Sequence, residues 1–241
     1  MQRCNDYYIR MIVENTTAIL KRLSRATMKS DRSPEEIEFV AASGSVSVSA
    51  LKEAADISFR FFGADSVPAA RDKIVPFREV ERAERYCGVQ WHLTGPLRKE
   101  EVKEAVALFD LIHTVDSLLL AEEIDRRAAE AGKVQRILVQ VRLADPEGPG
   151  VPGEELFPLL EGISALKNVR LEGLMTASPA SEDPAQSRSF FRKLCSLRDE
   201  AVTKGFSLPH LSMGVCHDFE VGIEEGATLV QVDSILFGKS A

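Results

Sequence analysis

The chain has 241 residues, 44% of them hydrophobic and 28% charged, an ordinary balance for a folded protein that buries its core without disulfides. Thirty Lys and Arg against 37 Asp and Glu give a net charge of −7. No basic stripe with interleaved aromatics is present, which argues against nucleic acid as the main partner. The cysteines at 4, 87, 195 and 216 form no CxxC pair, and no run approaches the roughly twenty apolar residues of a membrane span. Residues 1–26 carry charges throughout and contain no apolar signal core. Reduced thiols, a cytoplasmic location and no membrane contact are therefore expected.

In chain order, residues 6–28 read as an amphipathic helix. Ile9, Ile12, Val13, Ala18, Ile19 and Leu23 recur at helical steps, with Lys21, Arg22 and Arg25 opposite. Ser33-Pro34-Glu35-Glu36 is a helix-start pattern with room for one turn before the apolar run that begins at Ile37. Strands are predicted at 37–42, 59–63, 90–95, 110–115, 136–143, 170–176, 209–214 and 229–235. Helical patterns lie between them at 48–55, 67–85, 99–108, 117–131, 153–166, 184–204 and 218–225.

Eight short strands joined by crossover helices imply parallel pairing, and eight is the number that closes a (β/α)8 barrel. The expected fold is a single α/β TIM barrel over residues 1–241, preceded by the extra N-terminal helix. An open doubly wound sheet is the rival, weakened because no GxGxxG follows a strand. The Pro/Gly-rich stretches 144–153 and 177–184 read as long loops after strands, which in a barrel lie on the face that carries function.

On that face the candidate positions include Ser43, Gly44, Asp65, Asp116, Arg142, Met175, Ser212, Gly214, Cys216, Asp233 and Ser234. Seven runs stand in order along the chain: Ser33-Pro-Glu-Glu-Ile37, Phe62-Gly63, Trp91-His-Leu-Thr-Gly-Pro-Leu97, His113-Thr-Val-Asp116, Gly173-Leu-Met175, Leu211-Ser-Met-Gly214 and Phe237-Gly238. With these the chain resembles the pyridoxal phosphate homeostasis proteins, which share the alanine racemase N-terminal-domain barrel. The resemblance implies pyridoxal 5′-phosphate (PLP) held by a lysine after the first strand, with its phosphate on backbone N–H groups and hydroxyls after the last two strands. It also implies a role in cofactor supply without established turnover. By position it implies cofactor contacts from Ser43, Asp65, His92, Met175, Ser212, Gly214, Asp233 and Ser234, and no metal.

The sequence departs from the family pattern at other positions within and beside these runs. Gly44 replaces the Schiff-base lysine in Ser43-Gly-Ser-Val46, and without an amine there is no aldimine. Asp65, the run Arg98-Lys-Glu-Glu101, Arg142, Val215-Cys-His-Asp218 and Gln231-Val-Asp-Ser234 replace other family residues. Asp233 would set a carboxylate beside a phosphate unless it turns outward or caps the segment that follows. Lys52, Lys99 and Lys239 are the lysines weighed as substitutes, each read as a surface residue.

The leading expectation is a divergent, non-catalytic family member with covalent PLP binding lost and its phosphate site altered. An alternative is a PLP-independent enzyme or ligand-binding barrel that uses Asp65, His92, Arg142, Cys216 and Asp233. Another is a partner module for a PLP-competent relative. A small-molecule or phosphate-bearing ligand fits either of the first two. His92 is expected to point into the barrel if Trp91 points out. Cys216 is expected to carry some thiolate character and Asp218 to serve as an N-cap.

Overall fold

The computed structural model describes residues 2–44, 46–80, 86, 88–177 and 183–238. Strands β1 (Glu38–Ala42), β2 (Phe61–Ala64), β3 (Gln90–Leu93), β4 (Leu111–Val115) and β5 (Gln135–Arg142) form the first part of the sheet. A two-residue strand, β6 (Val151–Pro152), lies beside the end of β5. Then come β7 (Val169–Met175), β8 (His210–Val215) and β9 (Leu229–Val232). Neighbours pair in parallel; β1 bonds both β2 and β9, and β4 bonds β5, so eight strands close into a (β/α)8 barrel with β6 outside the ring.

Helices α1 (Gln2–Lys29), α2 (Val48–Asp56), α3 (Val67–Val80), α4 (Val102–Leu108), α5 (Leu118–Glu130), α6 (Leu156–Ser164), α7 (Arg188–Thr203) and α8 (Phe219–Glu224) precede or connect the strands. A last turn, α9 (Ser234–Phe237), follows β9. The predicted continuation of α3 through 81–85 lies outside the described residues. The predicted last strand stops at Val232 instead of 235, because Asp233 caps α9. The predicted turn at Ser33 is a 3-10 helix over Pro34–Glu36. Its capping box has Ser33 Oγ accepting from Glu35 N at 3.3 Å and Glu36 Oε1 accepting from Ser33 N at 2.8 Å.

The apolar alternation of each strand fills two compartments. Val40, Leu111, Leu138, Met175 and Leu229 pack inside the barrel with Phe61. Ala41, Phe62, Trp91, Ile112 and Val230 face the helices. Trp91 lies 5.4 Å from Phe62 and 5.5 Å from Phe77 of α3, ring to ring. That outward packing fixes His92 as an interior residue.

Helix α1 buries Ile12, Ile19, Leu23 and Ala26, whereas Val13 and Ala18, expected on the same face, are exposed. The helical steps place Arg22 opposite the apolar face. Yet its guanidinium sits 4.3 Å from the Phe219 ring centroid and bonds Glu220 at 2.9 Å and the Cys216 carbonyl at 3.2 Å. Asn15 donates to the Leu236 carbonyl at 2.9 Å. The N-terminal helix thus clamps the last two helical segments, which border the barrel mouth.

Gly95 shows how closely the strand ends approach. A Cβ there would lie 1.8 Å from the Asp65 carbonyl oxygen, a backbone atom that cannot swing aside. Gly95→Ala is expected to destabilise the protein by about 1–3 kcal/mol, since overpacking forces backbone shifts. Chemical denaturation of variant and wild type measures this, and an unchanged midpoint would contradict the packing described.

Candidate functional site

The strand ends surround a cavity of about 540 Å³. On one side are Gly44, Asp65 and Thr94; across it are Gln231, Asp233 and Ser234. Among the described lining residues none is a lysine, arginine or histidine, and two are carboxylates. Among the described residues no group of three His, Cys, Asp or Glu could hold a metal ion.

The first strand runs into Ser43, whose N–H donates to the Gly63 carbonyl at 2.7 Å and whose side chain is buried. Gly44 follows on the cavity wall. A Cβ built at Gly44 meets nothing within 4 Å, so packing does not demand glycine there. The neighbouring Ser45 lies outside the described residues. The Ser43 and Gly44 carbonyls both accept hydrogen bonds from Lys73 Nζ, which reaches over from α3. Burial pushes the Lys73 ammonium below its ordinary range, with the nearby Asp65 charge acting the other way.

Opposite, Asp233 closes the far wall. Its carboxylate takes up the capping alternative that the sequence left open: it accepts from the Ser234 backbone N–H, as an N-cap of α9, and from the Cys216 thiol. Asp233 N–H in turn donates to Cys216 Sγ at 3.3 Å. Burial raises the Asp233 carboxyl, but the Cys216 and Ser234 donors outweigh it and hold the group below the usual carboxylate range. Cys216 has a left-handed backbone, φ 39°, which a non-glycine residue adopts at a cost of about 1–2 kcal/mol. Thiolate character at Cys216 is not found: burial, then the Asp233 hydrogen bond, push the thiol up to about 11. Asp218 does not cap α8 with its side chain. It is fully buried, accepting from Val215 N at 2.7 Å and from Ser187 Oγ at 2.6 Å.

Below the mouth, three side chains form a buried line. His113 Nδ1 bonds Ser212 Oγ at 2.9 Å, and His113 Nε2 bonds His92 Nδ1 at 3.1 Å. His92 Nε2 has no partner among the described residues. If His92 donates to His113 and His113 to Ser212, only a lone pair is stranded; the reverse order would strand an N–H, which costs more. Burial pushes His113 to about 3, with His210 and Arg136 adding to the effect, and it lowers His92 as well. In that order Ser212 Oγ accepts from the interior His113 and keeps its own O–H to donate elsewhere.

Of the residues weighed from sequence, Asp65, Asp233 and Ser234 line the cavity, with Cys216 bonded to Asp233. Met175 belongs to the interior apolar cluster. Gly214, with φ 93°, lies where a Cβ would meet the Phe219 Cα at 2.9 Å, so it serves the close packing of α8 on β8. Arg142 lines a separate cavity of about 380 Å³ with Ala144, Asp145 and Thr176. Asp116 and Lys99 are exposed, and Lys239 lies outside the described residues. The enzyme constellation of Asp65, His92, Arg142, Cys216 and Asp233 does not converge on one point: His92 is buried at the axis and Arg142 faces another cavity. Sequence reasoning missed Lys73. The available signal was its place one turn beyond buried Ala70 and beside buried Ile74, on the edge of the helix face that meets the barrel.

The chain matches the family described as "Alanine racemase, N-terminal domain" over residues 12–241. It is 35% identical over 228 residues to the pyridoxal phosphate homeostasis protein of Aquifex aeolicus, covering 94% of this chain and 97% of the relative. The corresponding Escherichia coli K12 protein is 32% identical over 235 residues, covering 94% and 96%. Among solved structures, one of an unknown protein from Bifidobacterium adolescentis superposes with a TM-score of 0.88 at 26% identity, covering 96% of both chains. PipY of Synechococcus elongatus, solved with PLP bound, superposes with a TM-score of 0.78 at 30% identity, covering 90% of this chain and all of PipY at 100%.

Proposed function

The chain belongs to the alanine racemase N-terminal-domain family and, within it, to the pyridoxal phosphate homeostasis proteins, and we propose that it is a cytoplasmic, non-catalytic member whose mouth does not hold PLP in the family manner. The observation that carries this reading is Asp233. Its carboxylate lies on the cavity wall and accepts from the N–H of Ser234, in the segment after the last strand where the family resemblance puts the cofactor's phosphate. An internal anion therefore takes the donor that the cofactor's phosphate needs.

The other residues present do not fit PLP either. Gly44 brings no amine to the end of the first strand. The described cavity wall carries the carboxylates Asp65 and Asp233 and offers no cation. Each of these opposes a dianionic ligand that is anchored covalently. The mouth instead suits a small ligand without phosphate, and the barrel around it serves binding. The enzyme reading is not favoured, because its candidate side chains are divided between the cavity, the barrel axis and a second cavity.

Gly44→Lys tests the covalent half of this reading. The position has open space for a side chain, so the variant is expected to fold and to gain a borohydride-stable adduct at residue 44 with pyridoxal, which carries no phosphate, read by mass mapping, and to gain one with PLP only when Asp233→Gly is added. Wild type treated alongside is expected to give no adduct in residues 38–47. No adduct at a folded Gly44→Lys would mean that the missing amine is not what separates this mouth from a PLP-binding one.

A further inference from the structure

We propose that Lys73 is the carbonyl-reactive amine of this barrel, and that the mouth takes an aldehyde or ketone bearing no phosphate, bound as an imine on Lys73 Nζ. This rests on the reading that Asp233 excludes phosphate. Lys73 Nζ is bonded to the carbonyls of Ser43 and Gly44, so it lies one hydrogen bond from the cavity wall at Gly44. Asp65, whose charge Lys73 feels, is another wall residue. The amine is thus flanked by two residues of the cavity. The space beside Gly44 is empty to 4 Å from a built Cβ, which leaves room for the terminal methylenes of Lys73 to turn toward a ligand.

Burial favours the neutral amine that the chemistry needs, as it does for other lysines that form Schiff bases. The step is a condensation. The nitrogen lone pair attacks the carbonyl carbon, the amine gives up its two protons, and the carbonyl oxygen leaves as water. No oxidant or reductant takes part. The cavity walls bring Asp65 and Asp233 and no described cation, which turns away a phosphorylated carbonyl compound while accepting an uncharged or amine-bearing one.

Pyridoxal and PLP differ by the phosphate and form the paired probe; because free pyridoxal closes largely into a hemiacetal and PLP cannot, each probe's Lys73 yield is taken relative to its own yield at the exposed Lys99. Each is incubated with the full-length protein, reduced with borohydride, and the adducts are mapped by mass spectrometry. Pyridoxal is expected to modify Lys73 in preference to Lys21, Lys52 and Lys99. The Lys73 yield from PLP is expected to be lower by at least about tenfold, the factor that 1.4 kcal/mol of repulsion produces. Lys73→Arg, which keeps a long basic side chain but no primary amine, is expected to lose the adduct while circular dichroism stays unchanged.

Adducts spread over exposed lysines, or unaffected by Lys73→Arg, would overturn the proposal. Should that variant not fold, the wild-type map alone decides. If PLP modifies Lys73 as well as pyridoxal does, Lys73 is the reactive amine but Asp233 does not exclude phosphate. That outcome refutes the reading of the mouth, together with the ligand class inferred from it.

Discussion

Asp233→Gly is expected to raise the affinity for PLP, and for inorganic phosphate, by up to about a thousandfold. The magnitude comes from like charges. Two unit charges about 4 Å apart at an effective dielectric near 20 repel by about 4 kcal/mol, close to three orders of magnitude in an equilibrium constant. Removing the carboxylate also frees the Ser234 N–H, which Asp233 occupies as a cap. The stability lost with the cap is small, because glycine at an N-cap costs only a few tenths of a kcal/mol.

Asp233→Asn separates the two contributions. Asparagine removes the charge but keeps an oxygen that can accept from Ser234, so it should recover the electrostatic part of the gain and leave the donor engaged. Isothermal titration of the three proteins with phosphate and with PLP gives the comparison. Equal affinities for wild type, Asp233→Asn and Asp233→Gly would mean that Asp233 does not govern the anion seat.

Acidification is expected to destabilise the fold steeply below pH 6.5. The cause is the buried line of His92, His113 and Ser212. His113 is held neutral, its pKa pushed to about 3 from an ordinary 6.5. Between those values the unfolded chain binds a proton that the folded chain refuses, so stability is fully present above pH 6.5 and falls as pH drops toward 3. At 1.36 kcal/mol per unit, the loss from His113 alone is about 3 kcal/mol by pH 4.5 and about 5 kcal/mol at its limit. His92, buried beside it and shifted the same way, adds to the slope. Urea midpoints of wild type and His113→Gln, measured from pH 7.5 to 4.5, test this. The variant should start less stable and lose less, so that the two curves converge toward acid. Parallel curves would show that His113 does not titrate on unfolding.

The barrel was legible because its signals are local. Apolar alternation placed β5 and β7 within one residue of their observed ends, and the helical runs between strands carried the crossovers. The reading failed where a tertiary partner decides. Val232-Asp233-Ser234-Ile235 continues a strand pattern, yet Asp233 caps a helical turn and is held there by Cys216, 17 residues away. Arg22 reads as lying opposite the apolar face of α1, but the Phe219 ring and Glu220 hold it from the other end of the chain.

The site was legible in part. Gly44 and Asp233 stood out against a family pattern, and both prove to line one cavity. Arg142 shares the strand-end position that made it a candidate, but the loop after β5 folds a separate cavity around it. Lys73 was hidden, because nothing local announces that a lysine within α3 reaches back 30 residues to the carbonyl of Ser43. The place of Cys216 before a helix suggested some thiolate character. Burial, and after it the Asp233 carboxylate that it bonds, hold the thiol protonated instead.

The central claim is that a family barrel carries a mouth that excludes the family's phosphate cofactor. Titrating PLP into wild type and into the Gly44→Lys/Asp233→Gly double variant, with visible absorbance and calorimetry read together, tests it most directly. Wild type is predicted to stay colourless, with binding no tighter than about millimolar, while the double variant turns yellow and binds at least about a thousandfold more tightly. Wild-type protein that purifies yellow, or that binds PLP as tightly as the double variant, would contradict it.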